Sequence, residues 1–112
     1  MPILVPMSFE QFKHIQKLGL DYSGWRSRGY HNYPYERKLF GANNPFEALR
    51  ELLKQEDPAT SLLRLNELCE CGDVDLVNKR SYAARVIEDA HLYTPEEVAI
   101  AKKMLKDFND QF

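Results

Sequence analysis

Apolar residues recur at helical spacing near the start of the chain. They stand three positions apart, at Phe9, Phe12, Ile15 and Leu18, and so form one apolar stripe of a helix. Ser8 and Gln11 precede this stripe in the spacing of a capping box, in which each side chain accepts a hydrogen bond from the other residue's amide. Gly19 follows, and glycine often ends a helix because it accepts a left-handed conformation. The pattern predicts a helix over residues 8–18.

Three later stretches begin with a capping residue followed by proline. The pairs are Asn44-Pro45, Asp57-Pro58 and Thr94-Pro95, and an apolar stripe of helical period follows each of them. Proline suits the first helical position because the amide it lacks would have no partner there. Glu47 and Glu97 complete capping boxes with Asn44 and Thr94. We therefore expect three helices, the second ending near Gly72 and the third reaching Phe112.

Residues 73–92 carry a weaker helical pattern. Leu76, Val86 and Ile87 fit one apolar face, which predicts a helix over about 76–91. A break near Lys79 could divide it, since Ser81 is a suitable cap for a shorter helix. No strand-like alternation of useful length occurs anywhere. The sequence thus predicts a single all-α domain over residues 1–112, a compact bundle of about five short helices.

Residues 20–43 match neither a helical nor a strand period, and we expect a long irregular loop after the first helix. Connections of this length tend to be functional or disordered. Disorder is disfavoured because six of the thirteen aromatic residues lie here, and disordered segments are poor in aromatics. Pro34 argues against a central strand. This loop is therefore the part of the chain that looks selected for something other than building a helix.

The charge of the chain is unevenly distributed. The net charge is −2, but residues 1–40 hold six basic against three acidic residues, and residues 41–112 hold nine against fourteen. This asymmetry fits a basic patch on an acidic body, or two complementary faces of an oligomer. Basic and aromatic residues meet in the predicted loop, and these are the candidate partner-binding residues: Trp25, Arg26, Arg28, Tyr30, His31, Tyr33, Tyr35, Arg37 and Lys38.

Three interpretations of this cluster remain open. Tyr, Trp and Arg are enriched in the energetic centres of protein interfaces, which favours a small non-catalytic interaction protein, such as an inhibitor, an adaptor or an immunity-type partner. The same residue types could bind single-stranded RNA or DNA by stacking and phosphate contacts, although a sequence pI of about 5.9 argues against it. The rings could also simply complete the core.

Other chemistry is not favoured by the sequence. Cys69 and Cys71 are too close for a disulfide with each other, so we interpret both as reduced thiols of a cytoplasmic protein. They also lack the spacing of a zinc site, and we expect neither a metal nor another cofactor. The apolar start of residues 1–7 has no basic region and is too short for a signal peptide. No motif of nucleophilic or phosphate-transfer catalysis occurs.

Overall fold

The computed structural model describes residues 6–112. Most of the apolar stretch over residues 1–7, for which the sequence does not predict a signal peptide, lies outside the described residues. Within the described range the chain forms helices and turns, with no β-strand. The elements are α1 (Phe9–Ser27), α2 (Tyr33–Gly41), α3 (Pro45–Gln55), α4 (Pro58–Cys71), α5 (Val74–Arg80), α6 (Tyr82–Glu88), a 3₁₀ turn (Ala90–Leu92) and α7 (Pro95–Asn109). The predicted all-α class is confirmed, although the helices are more numerous than five.

Helix α1 runs through the expected stop at Gly19 and ends only after Ser27. The physical reason is burial, because Leu18, Tyr22 and Trp25 lie on one helical face and are almost fully buried. Burying each large apolar side chain contributes about 1.5–3 kcal/mol, which outweighs the cost of about 1 kcal/mol for a glycine inside a helix. The helix terminates instead before Gly29, whose φ of 93° lies in the left-handed region.

The predicted long loop over residues 20–43 is largely helical. Its first part belongs to α1, and α2 occupies most of the rest, so that irregular backbone is confined to the turns at 28–32 and 42–44. Asn32 begins α2 by accepting a hydrogen bond from the Tyr35 amide at 3.3 Å, and Pro34 lies in the first helical turn. The prediction missed this helix because only nine residues separate the two turns.

The predicted helix starts at 8, 45, 58 and 95 are confirmed. Ser8 and Thr94 form complete capping boxes with Gln11 and Glu97. The Asn44 side chain accepts from the Glu47 amide at 3.1 Å, whereas the Glu47 carboxylate accepts from Arg50 at 2.9 and 3.1 Å. The Asp57 carboxylate caps α4 through the Thr60 amide at 2.9 Å.

Residues 73–92 form two short helices and a 3₁₀ turn rather than one helix. The break lies at Ser81, which ends α5 and begins α6. The Ser81 hydroxyl accepts a hydrogen bond from the Ala84 amide at 3.2 Å, and the residue is buried. The Ser81 side chain thus caps the start of α6, and the helix does not continue through this position.

Two clusters of buried side chains form the core. One gathers residues of α1, α2 and α4 around Phe108, and the other gathers residues of α3 and α6 around Ala101. Ile15, Tyr82, Met104 and Leu105 pack against both clusters and so join them. Helix α7 contacts α3, α4 and α6, which makes it the central support of the bundle. Within residues 6–112 no helix is both long and apolar enough to cross a bilayer.

Candidate partner-binding surface

The candidate residues separate into a buried and an exposed group. Trp25 and Tyr30 are buried in the core, and Tyr35 is half-buried. The others lie at the surface: Arg26, Arg28, His31, Tyr33, Arg37 and the half-buried Lys38. The structure therefore does not bring all the predicted residues onto one surface.

An exposed stripe runs along α2 and the turn before it. Tyr33, Arg37 and Phe40 are spaced by four and three residues, so they share one side of the helix, and all are exposed. The Tyr33 and Phe40 side chains retain 65% and 59% of their full exposure. His31 joins them by stacking on Tyr33, with the ring centroids 6.0 Å apart and the planes inclined by 11°. We call His31, Tyr33, Arg37 and Phe40 the α2 face.

The inner side of α2 holds the face in place. Leu39 is buried, and the Tyr35 ring lies 5.5 Å from Tyr22 and 5.7 Å from Tyr82. Phe40 meets Tyr22 edge-on at 5.8 Å while most of its own ring faces solvent. A short helix anchored by these rings presents its outer side chains on a fixed backbone, which limits the entropy lost on binding.

The α2 face is cationic because the nearby acid is already paired. Glu36 is the only acidic residue of α2. It binds Arg26 at 3.1 Å and accepts a hydrogen bond from the Tyr22 hydroxyl at 3.1 Å. Arg28, Arg37 and Lys38, in contrast, form no ion pair with any of residues 6–112. Their charges remain available to a partner.

Trp25, Tyr30 and Tyr35 line a cavity that sequence reasoning did not predict. The cavity has a volume of about 80 Å³, is partly open to solvent and is lined mainly by residues of α1, α2, α3, α4 and α6, with Arg80 of α5 and Met104 of α7. We call it the aromatic cavity. Its further lining includes Tyr22, Tyr82 and Leu68, together with Arg64 and Arg80. The sequence does not indicate that Arg64 lines a cavity, because its position there depends on which helices pack around it.

Burial raises the pKa values of the tyrosine hydroxyls in this cavity. Desolvation raises the pKa of Tyr30 to about 12, with a hydrogen bond from Asn32 and the charge of Arg64 opposing it. Burial likewise raises the pKa of Tyr35 well above its ordinary value. Both hydroxyls are therefore protonated at neutral pH. The Tyr30 hydroxyl accepts from the Asn32 side chain at 3.3 Å, and the Tyr35 hydroxyl has no hydrogen-bond partner among residues 6–112.

The cysteines do not form a metal centre with their neighbours. Cys69 and Cys71 are half-buried and carry free thiols. Within the described part of the chain, no three His, Cys, Asp or Glu side chains lie close enough together to hold a metal ion.

No protein-family model, curated protein or solved structure matches this chain significantly. Functional inference therefore rests on the arrangement of its own side chains.

Proposed function

We propose that this protein is a small interaction protein that binds a protein partner through the α2 face, with Arg28 and Lys38 at its edges. The partner surface is acidic with an apolar centre. The protein acts without catalysis, as an inhibitor, adaptor or immunity-type partner, and we propose that it does so in the cytoplasm. Trp25 and Tyr30, which the sequence predicts as direct contacts, are buried in the core cluster that includes Leu39 of α2 and do not contact the partner.

The exposed aromatic pair of Tyr33 and Phe40 supports this proposal most directly. The fold leaves both rings largely in solvent although neighbouring rings are buried. Aromatic and arginine side chains are the residues that contribute most at interface centres. Arg37 on this face forms no ion pair with the part of the chain that the structure describes, so an acidic partner provides both the complementary potential and faster association.

The proposal is tested with two variants of the α2 face and one matched control. Tyr33→Ala removes a ring that is 65% exposed, and Arg37→Glu reverses an unpaired charge. Lys102→Glu is the control because Lys102 is exposed, forms no ion pair within residues 6–112 and lies on α7. The tagged protein is purified from its native host, the associated protein is identified, and the affinity of the reconstituted pair is measured by calorimetry.

We expect one stoichiometric partner whose affinity falls at least tenfold with Tyr33→Ala and with Arg37→Glu, and stays within about twofold with Lys102→Glu. Each substitution should change the free energy of unfolding by less than about 1 kcal/mol, since the side chains are exposed. A partner bound equally well by all three variants would refute the proposed surface.

The same variants address two other outcomes. Binding to single-stranded RNA or DNA oligomers with a steep decrease in affinity at higher salt, lost with Tyr33→Ala, would replace the protein partner by a nucleic acid. Self-association in sedimentation experiments that Arg37→Glu abolishes would identify a second copy of this chain as the partner. Either result would contradict the proposal as stated.

A further inference from the structure

The aromatic cavity contains a cationic side chain that the fold does not neutralise. Arg64 lines the cavity and makes no ion pair or side-chain hydrogen bond with any of residues 6–112. Its Nε atom is buried and without a partner in the described structure. Arg64 as a whole is half-buried, but leaving its buried Nε–H donor unpaired costs free energy, so this arrangement is unusual for a residue that only completes a core.

The acidic side chains around the cavity are already occupied. Asp21 accepts hydrogen bonds from Arg85 at 2.6 and 2.9 Å. Glu56 accepts from the Ser61 hydroxyl at 3.0 Å and contributes one negative charge. Arg64 and the exposed Arg80 both line the cavity, and neither forms an ion pair with the described residues. With Asp21 balanced by Arg85, the lining carries these two positive charges against the one negative charge of Glu56, and the site favours an anion.

The remaining walls are mainly apolar or aromatic, with Asn32, Ser61 and Ser81 as uncharged polar members. Trp25, Tyr22 and Tyr82 provide ring surface, and leucines of α3 and α4 complete the lining. A water molecule needs about 10–15 Å³, and a cavity of about 150 Å³ accepts benzene. A cavity of about 80 Å³ therefore suits an apolar tail of two or three carbons.

We propose that the aromatic cavity binds a small aliphatic carboxylate, with Arg64 as its counter-charge and the aliphatic tail against Trp25. A guanidinium and a carboxylate match in geometry and form charge-assisted hydrogen bonds. The Tyr35 hydroxyl lines the cavity, has no hydrogen-bond partner among the described residues and supplies a further hydrogen bond. This site is distinct from the α2 face, since neither Arg64 nor Trp25 belongs to that surface, although Tyr35 on the inner side of α2 lines the cavity.

Trp25 is the only tryptophan of the chain, so its fluorescence reports directly on the cavity. The protein is titrated with sodium butyrate at constant ionic strength, with butyramide as the neutral analogue of the same tail and acetate as the shorter acid. We expect a saturable change with butyrate and a dissociation constant on the order of 1 mM, given the few atoms that make contact. Butyramide and acetate should bind at least tenfold more weakly.

Arg64→Gln tests the counter-charge, and Lys102→Gln is the control, because Lys102 is an exposed cation of α7 that belongs to neither proposed site. Arg64→Gln should weaken butyrate binding at least tenfold with unchanged far-ultraviolet circular dichroism, and Lys102→Gln should leave it unchanged. Equal binding of butyrate and butyramide by the unmodified protein would refute the proposal without any variant. An equal response to phosphate or chloride would also refute it, because the tail would then contribute nothing.

Discussion

His14 and Asp89, which are 75 positions apart in the chain, are joined by a hydrogen bond of 2.6 Å between Nδ1 and Oδ2. The imidazole is fully buried, and Lys17 also donates to the same carboxylate oxygen at 3.1 Å. At the other end of the ring, Nε2 lies 2.8 Å from the Tyr93 hydroxyl, which in turn contacts Tyr82 at 3.2 Å. In the neutral His14 tautomer that donates from Nδ1 to Asp89, Nε2 accepts a hydrogen bond from the Tyr93 hydroxyl. Every polar group of this network then has a partner.

This network predicts a pH-dependent stability. Burial lowers the pKa of His14 from 6.5, and the Asp89 carboxylate offsets that effect only in part. The unfolded state therefore binds a proton more readily than the folded state, and stability falls as pH decreases through 6.5. Just below pH 6.5 we expect the free energy of unfolding to increase with pH by up to about 1.4 kcal/mol per unit, as measured by urea denaturation.

His14→Gln should remove this increase and lower stability at pH 7 by about 1–3 kcal/mol, because buried hydrogen bonds are lost. His31→Gln is the control, since that exposed ring has no contact with Asp89. A pH dependence that survives in His14→Gln would show that other groups cause it. A separate loss of stability is expected below pH 4, and it comes from Asp89. Burial would raise the pKa of Asp89, but hydrogen bonds from His14 and Lys17 outweigh burial and lower it, so protonation of this carboxylate destabilises the folded state.

The capped helices were predictable because their signals are local. Ser8, Asp57 and Thr94 each bond to an amide three residues ahead, so a window of a few residues contains the whole interaction. Helix α2 carries a similar signal in Asn32 and Pro34, but without a long apolar stripe to follow it. The end of α1 was not predictable locally, since Gly19 and Gly24 are overridden by the burial of residues on the opposite side of the helix.

The sequence indicates which residue types make up the candidate site, but it does not indicate which of them face solvent. Tyr33 and Tyr35 are two residues apart and identical in chemistry, yet one is largely exposed and the other packs between Tyr22 and Tyr82. Which side of α2 faces solvent depends on how it packs on α1 and α3. The aromatic cavity depends on how several helices from different parts of the chain pack together, and no spacing of residues in the sequence indicates such contacts.

The glycines inside α1 offer a second prediction. A β-carbon at Gly24 would meet no atom within 4 Å, and alanine costs less entropy in a helix. Gly24→Ala should therefore increase the free energy of unfolding by about 0.5–1 kcal/mol. Gly29→Ala is the contrasting variant, because its φ of 93° is unfavourable for alanine by about 1–2 kcal/mol. Urea denaturation of both variants checks the sign, and a destabilised Gly24→Ala would contradict the helical assignment of this region.

Gly72 permits a close approach between the end of α4 and Trp25. A β-carbon there would lie 2.9 Å from Cζ3 of Trp25 and 3.2 Å from Cδ1 of Leu76. Trp25 is buried and has little room to move, so Gly72→Ala should cost about 1–3 kcal/mol of stability and shift the tryptophan emission. Gly41→Ala, where nothing lies within 4 Å, should leave the emission unchanged. An unaltered spectrum in Gly72→Ala would show that this contact is looser than described.

Glu97 connects the start of α7 to α3 through a buried carboxylate. It accepts from the Thr94 amide at 2.8 Å and from Arg50 Nε at 2.9 Å. Burial opposes ionisation, but these bonds outweigh it and lower the pKa of Glu97. Its contribution is therefore present above pH 4.5 and decreases below it. In Glu97→Gln, the side-chain oxygen can still accept the hydrogen bond from the Thr94 amide, but Arg50 loses the negative charge of this carboxylate.

We expect Glu97→Gln to lower the free energy of unfolding at pH 7 by about 2–3 kcal/mol, because removing one member of a buried pair leaves an uncompensated charge. The loss is smaller than for an isolated pair because Arg50 keeps its contact with Glu47 at 2.9 Å. Glu10→Gln is the same chemical change in the exposed pair with His91 and should cost less than about 0.5 kcal/mol. Thermal and urea denaturation at pH 7 and pH 3.5 would measure both variants. Their difference should narrow at pH 3.5, because below pH 4.5 the unfolded state binds a proton at Glu97 more readily than the folded state does. An equal effect of the two substitutions at pH 7 would mean that the α3–α7 contact does not depend on this carboxylate.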